Sequence, residues 1–363
     1  MKRAYLLLYC IVAIVFTDNV NAQTWTQAGT GVNALNANNA VNGLVVDKAG
    51  NVYAGGGFYT EDNATGSIYY GIAKYDGTTW KSLLAGLPGS ILTMAIDKAD
   101  NVYCAGYYSN VGKWNGHVFT GLGTGKNGLN ANGTVNTIVV DTMGNVYAAG
   151  AFQNTSRKYY VAKWNGRSWI ELGSGANALN ATAAITSITN DKAGNVYATG
   201  GFISNGNYYV ARWNGTHWSN IGPANSCDKI NSMVTDRAGN LYVAGNFKNT
   251  QGKCKDCVAK WDGSNWTELD TETPTLNANK SINTLIIDTE DNIYAAGNFD
   301  AGGLNAPRYV AKWNGSSWTR IGQSAMTAVI NAIVKAANGK LMPLVKAPKC
   351  TWWSNTTGAS VPA

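Results

Sequence analysis

The chain has 363 residues, 45% of them apolar and 13% charged, with 42 Gly, 7 Pro and 6 Cys. That composition supplies a large core and excludes a disordered, collagen-like or disulfide-scaffold chain. Two histidines and a formal charge of +7 argue against His-based zinc sites and most neutral-pH acid–base catalysis.

At the N-terminus, Lys2 and Arg3, an apolar run from Ala4 to Phe16 and the small residues of Val20-Asn21-Ala22 read as a signal peptide over residues 1–22. The run is too short for a bilayer span, and no later run approaches the ~20 residues that a transmembrane helix needs. Cys10 lies inside the apolar run and lacks the small preceding residues of a lipid-attachment site. The mature chain is therefore expected to be secreted or at the cell surface, without a transmembrane segment. Cleavage leaves 26 Lys+Arg against 20 Asp+Glu, a net charge of +6. These bases are scattered, with no stripe to neutralise many phosphates, so nucleic acid is not an expected partner.

Beyond residue 22 two signatures alternate. The first is an apolar run, an Asp, a turn and a second run, as in Val41-Asn42-Gly43-Leu44-Val45-Val46-Asp47-Lys48-Ala49-Gly50-Asn51-Val52-Tyr53-Ala54-Gly55-Gly56-Gly57-Phe58. Its Asp recurs at Asp97, Asp141, Asp191, Asp236 and Asp288. The second is Tyr-Val-Ala-Lys-Trp-Asn-Gly-x-x-Trp, clearest at 160–169 and 309–318. Each reads as a β-hairpin, with short runs rich in Val, Ile, Tyr and Trp joined by Asp-x-x-Gly-Asn or by Asn-Gly and Asp-Gly turns. First strands starting near residues 41, 91, 135, 185, 230, 282 and 329 recur every 44 to 52 residues. That period suits four-stranded propeller blades.

Counting strands predicts an all-β, seven-bladed propeller that occupies residues 23–363 as one domain. The segment Thr24-Trp25-Thr26-Gln27-Ala28-Gly29 carries the outer-strand motif, and the last inner hairpin, Val329–Val345, is followed by one further run ending in Trp352-Trp353-Ser354. One N-terminal and three C-terminal strands then complete the last blade and leave no open sheet edge. The paired Trp residues read as packing between neighbouring sheets. The repeated Asp reads as an acceptor for the following turn, since one carboxylate per turn falls short of a calcium loop.

These residues carry a resemblance. The Tyr-Val-Ala-Lys-Trp-Asn-Gly-x-x-Trp and Asp-x-x-Gly-Asn-Val-Tyr-x-x-Gly-x-Phe patterns resemble the propeller repeats of secreted bacterial proteins and are similar to those of fungal cortical cell-polarity markers. Kelch-like and NHL-type repeats are more distant. The resemblance spans nearly all of residues 23–353 and implies surface or extracellular binding, with no catalytic residues to carry over. Blade two (Tyr107-Tyr108-Ser109-Asn110-Val111) and blade seven, where Lys335 and Ala336 replace the apolar-Asp pair, depart from the pattern.

If both tight turns share one rim, the variable connections share the other, where binding usually resides. Four interblade connections carry Leu-Asn-Ala-[Asn/Thr], which makes Asn36, Asn38, Asn130, Asn132, Asn180, Asn277 and Asn279 candidate ligand contacts. First strands begin with Asn42, Asn136, Asn231, Asn283 and Asn331, and Leu92 and Thr186 complete that ring. With Phe58, Phe152, Phe202, Tyr159 and Tyr208 nearby, these amides can hydrogen-bond a neutral sugar while the rings stack on it. The competing reading is that the amides satisfy backbone groups where the chain enters a strand.

Cys227, Cys254 and Cys257 gather in blade five, and an exported chain would use them as a disulfide, Cys227 pairing with Cys254 or Cys257. No metal or cofactor is expected. Three functions follow: a non-catalytic recognition module for a glycan or protein, a structural or adhesive surface element, and a hydrolase or lyase with carboxylates such as Asp62, Asp228 or Asp300 at the channel mouth. The first is the reading adopted, for a monomer.

Overall fold

The computed structural model describes residues 24–28, 35, 37, 40–62, 67–83, 89–204, 207–248, 254–269, 276, 278, 280–299, 308–326, 329–335, 339, 341–345 and 353–356. Residues 1–22 lie outside this set. The fold is an all-β propeller of antiparallel blades.

Blade one comprises Val41–Val46, Val52–Asp62, Ser67–Tyr75 and Trp80–Ser82. Blade two comprises Ile91–Ile96, Val102–Gly106, Gly112–Trp114 and Phe119–Gly121. Blade three comprises Val135–Val140, Val146–Gln153, Tyr159–Trp164 and Trp169–Glu171. Blade four takes Ile185–Asn190, Val196–Gly200 and Asn207–Trp213, and then the first part of one long strand, Trp218–Thr235. The second part of that strand opens blade five, which continues through Leu241–Lys248, Cys254–Trp261 and Trp266–Glu268. Blade six is Ile282–Ile287, Ile293–Gly297, Arg308–Trp313 and Trp318–Met326.

Among the described residues six four-stranded blades are present, not the seven expected. In place of a seventh stand two separate two-stranded ladders, Ile330–Lys335 with Leu341–Val345 and Thr24–Gln27 with Trp353–Thr356. The blade-seven inner hairpin lacks the Asp of the turn in its sequence, and among the described residues no hydrogen-bonded ladder joins the two pairs. The strand Ile330–Lys335 nevertheless lies against both Ile282–Ile287 and Val41–Val46.

Register explains the repeated Gly of the second strand. Every first strand shifts register at its second residue, as between Val135 and Thr137 against Gly150 and Ala149. The bulge brings the preceding backbone inward, so a Cβ on Gly150 would meet the Thr134 carbonyl oxygen at 2.0 Å.

The core lies between blades. One cluster joins Tyr147, Ala149 and Val161 of blade three to Ile185, Val196 and Ala198 of blade four. Phe152, Phe202 and Phe299 are fully buried, each contributing roughly 2–3 kcal/mol of apolar burial. The paired Trp residues are cross-strand neighbours within a blade, Trp164 and Trp169 lying 5.8 Å apart and Trp213 and Trp218 5.9 Å apart, each pair tilted by 51°. Three outer Trp residues bond to the preceding blade, Trp169 Nε1 donating to the Leu122 carbonyl, Trp218 to Leu172 and Trp266 to Ile221.

Candidate functional site

An antiparallel meander places both tight turns of a blade at one end. The opposite rim therefore holds the connections between blades and those between second and third strands, and these are the segments that vary.

The strand-start asparagines stand at the bulge. There the Asn42 amide donates to the Ile91 carbonyl at 2.7 Å, Asn136 to Ile185 at 3.0 Å, Asn231 to Ile282 at 2.8 Å and Asn283 to Ile330 at 3.1 Å. Each bond crosses to the next blade and satisfies the open edge of its inner strand. Asn331 is exposed. One residue further on, the hydroxyls of Thr93, Thr137 and Ser232 accept the N–H of Ile138, Ile188 and Leu285. Exposed sheet edges invite pairing with other chains, and this double row of side-chain bonds occupies them. The signal was present in the sequence as a polar pair, Asn-Thr or Asn-Ser, at the start of blades three, five and six.

The Leu-Asn-Ala linkers are built on buried anchors. Leu129, Leu179 and Leu276 are buried, as are Ala181 and Ala278, while Leu35 and Ala37 pack against the cluster around Val41 and Trp80. Between anchors the chain turns through left-handed backbone at Asn130 (φ 47°) and Asn180 (φ 50°), a conformation that Asn tolerates better than most residues. The Asn130 amide donates to the carbonyls of Gly125 and Gly128 at 2.7 and 3.2 Å. The Asn132 amide exchanges two bonds with the Gln153 backbone. Asn130, Asn132 and Asn180 are all exposed. Asn36, Asn38, Asn277 and Asn279 lie outside the described residues.

Of the aromatics expected beside these amides, Tyr159 and Tyr208 are half-buried, the Tyr159 N–H donating to the Ala181 carbonyl at 3.1 Å, while the three Phe residues are placed differently. Phe58, Phe152 and Phe202 are at most 3% exposed; their apolar rings close the blade interiors and cannot stack on a ligand. Tyr108 of blade two takes the same place, its hydroxyl donating to the Cys104 carbonyl at 2.9 Å. Tyr107, singled out in the sequence only as a departure, is 66% exposed.

On the loop rim of blade three the Asn154 amide donates to both carboxylate oxygens of Glu171 at 3.1 and 3.2 Å. Burial pushes the Glu171 carboxyl above its ordinary range despite those bonds. The side chains of Asp62, Asp228 and Asp300 lie outside the described residues.

The expected disulfide does not fit the register. Cys227 pairs with Phe247, Cys254 with Lys248 and Cys257 with Gly245. The strand Leu241–Lys248 thus separates Cys227 from the other two by two strand spacings, about 10 Å, beyond the ~7 Å a disulfide spans. Cys104 is a buried free thiol whose pKa burial pushes up to about 12.

The opposite rim is uniform. Asp141 accepts the Asn145 N–H at 2.9 Å, its side-chain amide at 2.7 Å and the Tyr147 hydroxyl at 3.2 Å, while Lys163 lies 5.5 Å over the Tyr147 ring. The same Asp–Asn–Tyr set recurs at Asp47, Asp97, Asp191, Asp236 and Asp288. His117 and His217 sit exposed on the Asn-Gly turns of this rim. Among the described residues no three His, Cys, Asp or Glu side chains gather as a metal site, and no helix is long and apolar enough to cross a membrane.

No family model and no curated protein matches the sequence. Solved structures match the fold. A streptogramin B lyase covers 92% of this chain and 97% of its own at 12% identity and a TM-score of 0.60. YCF48 bound to a D1 peptide covers 93% and 98% at 14% identity and 0.59. PorZ, a surface component of the type-IX secretion system of Porphyromonas gingivalis, covers 85% of this chain and 46% of its own at 13% identity and 0.59. At these identities the likeness establishes a propeller and no shared chemistry.

Proposed function

We propose that the chain is a secreted or cell-surface, non-catalytic propeller module that binds a glycan or protein ligand through its loop rim as a monomer. The observation that carries this reading is the split between rims: the same hydrogen-bonded Asp turn recurs on one, while the other gathers every connection that differs in length and residue. A rigid scaffold under variable loops is the usual arrangement of a binding surface. Exposed Asn130, Asn132 and Asn180 give that surface uncharged donors and acceptors. The resemblance to secreted bacterial and fungal surface repeats favours an extracytoplasmic location, as does the basic and apolar leader over residues 1–22. PorZ, as a surface component, and YCF48, bound to a D1 peptide, supply propeller precedents for that setting and for peptide binding.

We further propose that the two orphan ladders together act as a seventh blade, so that residues 24–27 close the ring. Their antiparallel pairing with Trp353–Thr356 supports this, as does the position of Ile330–Lys335 between the inner strands of blades six and one.

The streptogramin B lyase, whose fold the chain shares at 12% identity, favours the enzyme alternative. An array of glycans and a pull-down from the native cell envelope test the recognition reading on the mature chain. Binding that falls in an Asn130→Ala, Asn132→Ala, Asn180→Ala triple variant supports it; binding that is unchanged moves the site away from these linkers.

A further inference from the structure

We propose that the loop rim carries a binding site for an uncharged sugar ring, built on Tyr107 of blade two with Ser109, Asn130 and Asn132 beside it. The proposal rests on the recognition reading above and names its ligand class and its anchor.

Three observations converge on this place. The first is substitution. The residue between the repeated Gly of the second strand and the aromatic after it is Gly57, Ala151, Gly201, Asn246 or Asn298 in the other blades. Blade two alone of the six puts a large ring there, and that ring is 66% exposed. A tyrosine left in water forgoes roughly 2–3 kcal/mol of apolar burial, so the scaffold gains nothing by carrying it.

The second is relief. From Gly106 to Trp114 the chain runs eight residues, against 13 to 19 between the equivalent positions of the other five blades. Blade two thus has the shortest connection between its second and third strands of the six, and Tyr107 lies on it. Its backbone is fixed there, the Tyr107 N–H donating to the Ser90 carbonyl at 3.0 Å. Two residues on from Ser90, Leu92 interrupts the ring of strand-start asparagines.

The third is the polar surround. The Ala131 N–H donates to the Ser109 carbonyl at 2.9 Å, which seats the Leu129-Asn130-Ala131-Asn132 linker directly against the Tyr107–Ser109 loop. Ser109, Asn130 and Asn132 are exposed. The scaffold fixes each amide by part of its bonding capacity. Asn130 commits both donor hydrogens to Gly125 and Gly128 and keeps its oxygen, while Asn132 keeps one hydrogen and one lone pair beyond its exchange with Gln153. Amides immobilised in this way lose little entropy when they bind.

An exposed aromatic ring on a loop joined by a backbone bond to a linker of fixed amides suits a pyranose, whose C–H face stacks on a ring while its equatorial hydroxyls donate and accept. None of the four side chains is charged, so the site offers an acidic sugar no countercharge.

The test is binding of the full mature chain to an array of uncharged oligosaccharides, followed by titration of the best binder against Tyr107→Ala, Tyr107→Phe and, on the opposite rim, the exposed Met143→Ala. Loss of the ring should weaken binding about tenfold or more, the scale of one aromatic anchor, while Tyr107→Phe and Met143→Ala keep wild-type affinity. Unchanged melting of Tyr107→Ala is expected, since the side chain is exposed, and separates lost binding from lost fold. If the array binds and Tyr107→Ala binds as wild type, the Tyr107 site is overturned and the rim reading stands. A wild-type chain that binds no uncharged glycan overturns the proposal and leaves the rim reading only its protein ligand.

Discussion

The indole Nε1 of Trp80 donates to the carbonyl oxygen of Ala28 at 3.0 Å, across 52 positions of sequence. Trp169, Trp218 and Trp266 make the same bond to the outer strand of the blade before their own. Ala28 thus holds, toward blade one, the place that Leu122, Leu172 and Ile221 hold toward blades three, four and five. The equivalence gives the proposed ring closure a specific bond. Replacing Trp80 with Phe keeps the ring packed against Tyr75 and strands the Ala28 carbonyl. Loss of about 1 kcal/mol in urea unfolding is expected, matched by Trp218→Phe; a change in Trp218→Phe alone would mean that residue 28 is not bonded in solution.

Gly150 and Gly50 separate two reasons for a repeated glycine. A Cβ at Gly150 collides with the Thr134 carbonyl at 2.0 Å, whereas Gly50 has a φ of 85° and open space around it. Gly150→Ala must break the bulge that aims Asn136 at blade four, and a cost above about 3 kcal/mol is expected. Gly50→Ala carries only the left-handed backbone penalty, about 1 kcal/mol. Thermal melting of the two variants checks the order; equal losses would contradict it.

Lys335 replaces an apolar residue and reaches Asp288 of blade six at 2.5 Å and the Tyr294 hydroxyl at 2.9 Å. Its side chain is 23% exposed and that of Asp288 is 4% exposed. Burial opposes the Asp288 charge, yet the Lys335 ammonium and the Asn292 bonds outweigh it and hold the carboxyl well below its usual range. The Lys335 ammonium is held above its own usual range by Asp288, although burial pulls it down. The Asp288 contribution is therefore complete above the unfolded value near ~4 and lost as pH falls toward the folded one. The Lys335 contribution is complete below ~10 and lost as pH rises through its folded value. Lys335→Met should cost about 3 kcal/mol at neutral pH, because Asp288 stays buried without its countercharge. Urea midpoints from pH 3 to 8 check this, and an unchanged midpoint would deny the pair any part in holding the last inner hairpin.

The periodic part of the molecule was readable because the same physical demand recurs in every blade. Asp141 needs Asn145 and Tyr147, the bulge needs Gly150, and Trp164 needs Trp169, so each solution repeats at a fixed interval. Relationships between blades were less readable. Asn42 and Asn136 looked alike as donors, but nothing local says that their amides cross to Ile91 and Ile185. Phe58 and Phe152 stand next to variable loops in sequence and turn inward because the blade interior is the larger apolar surface. Cys227 and Cys254 are close in sequence, and only the register puts a strand between them. Tyr107 was visible as an irregularity; its exposure follows from the shortened loop beside it.

Residues 23–31 bear on closure most directly. Their removal from a chain that begins at residue 23 should leave Trp353–Thr356 without its partner and expose the sheet flank beside blade one. Size-exclusion chromatography with thermal melting is expected to show association in place of a monomer and a melting temperature lower by roughly 10 °C. A truncated chain that elutes as a monomer and melts with the full-length protein would contradict the closed ring.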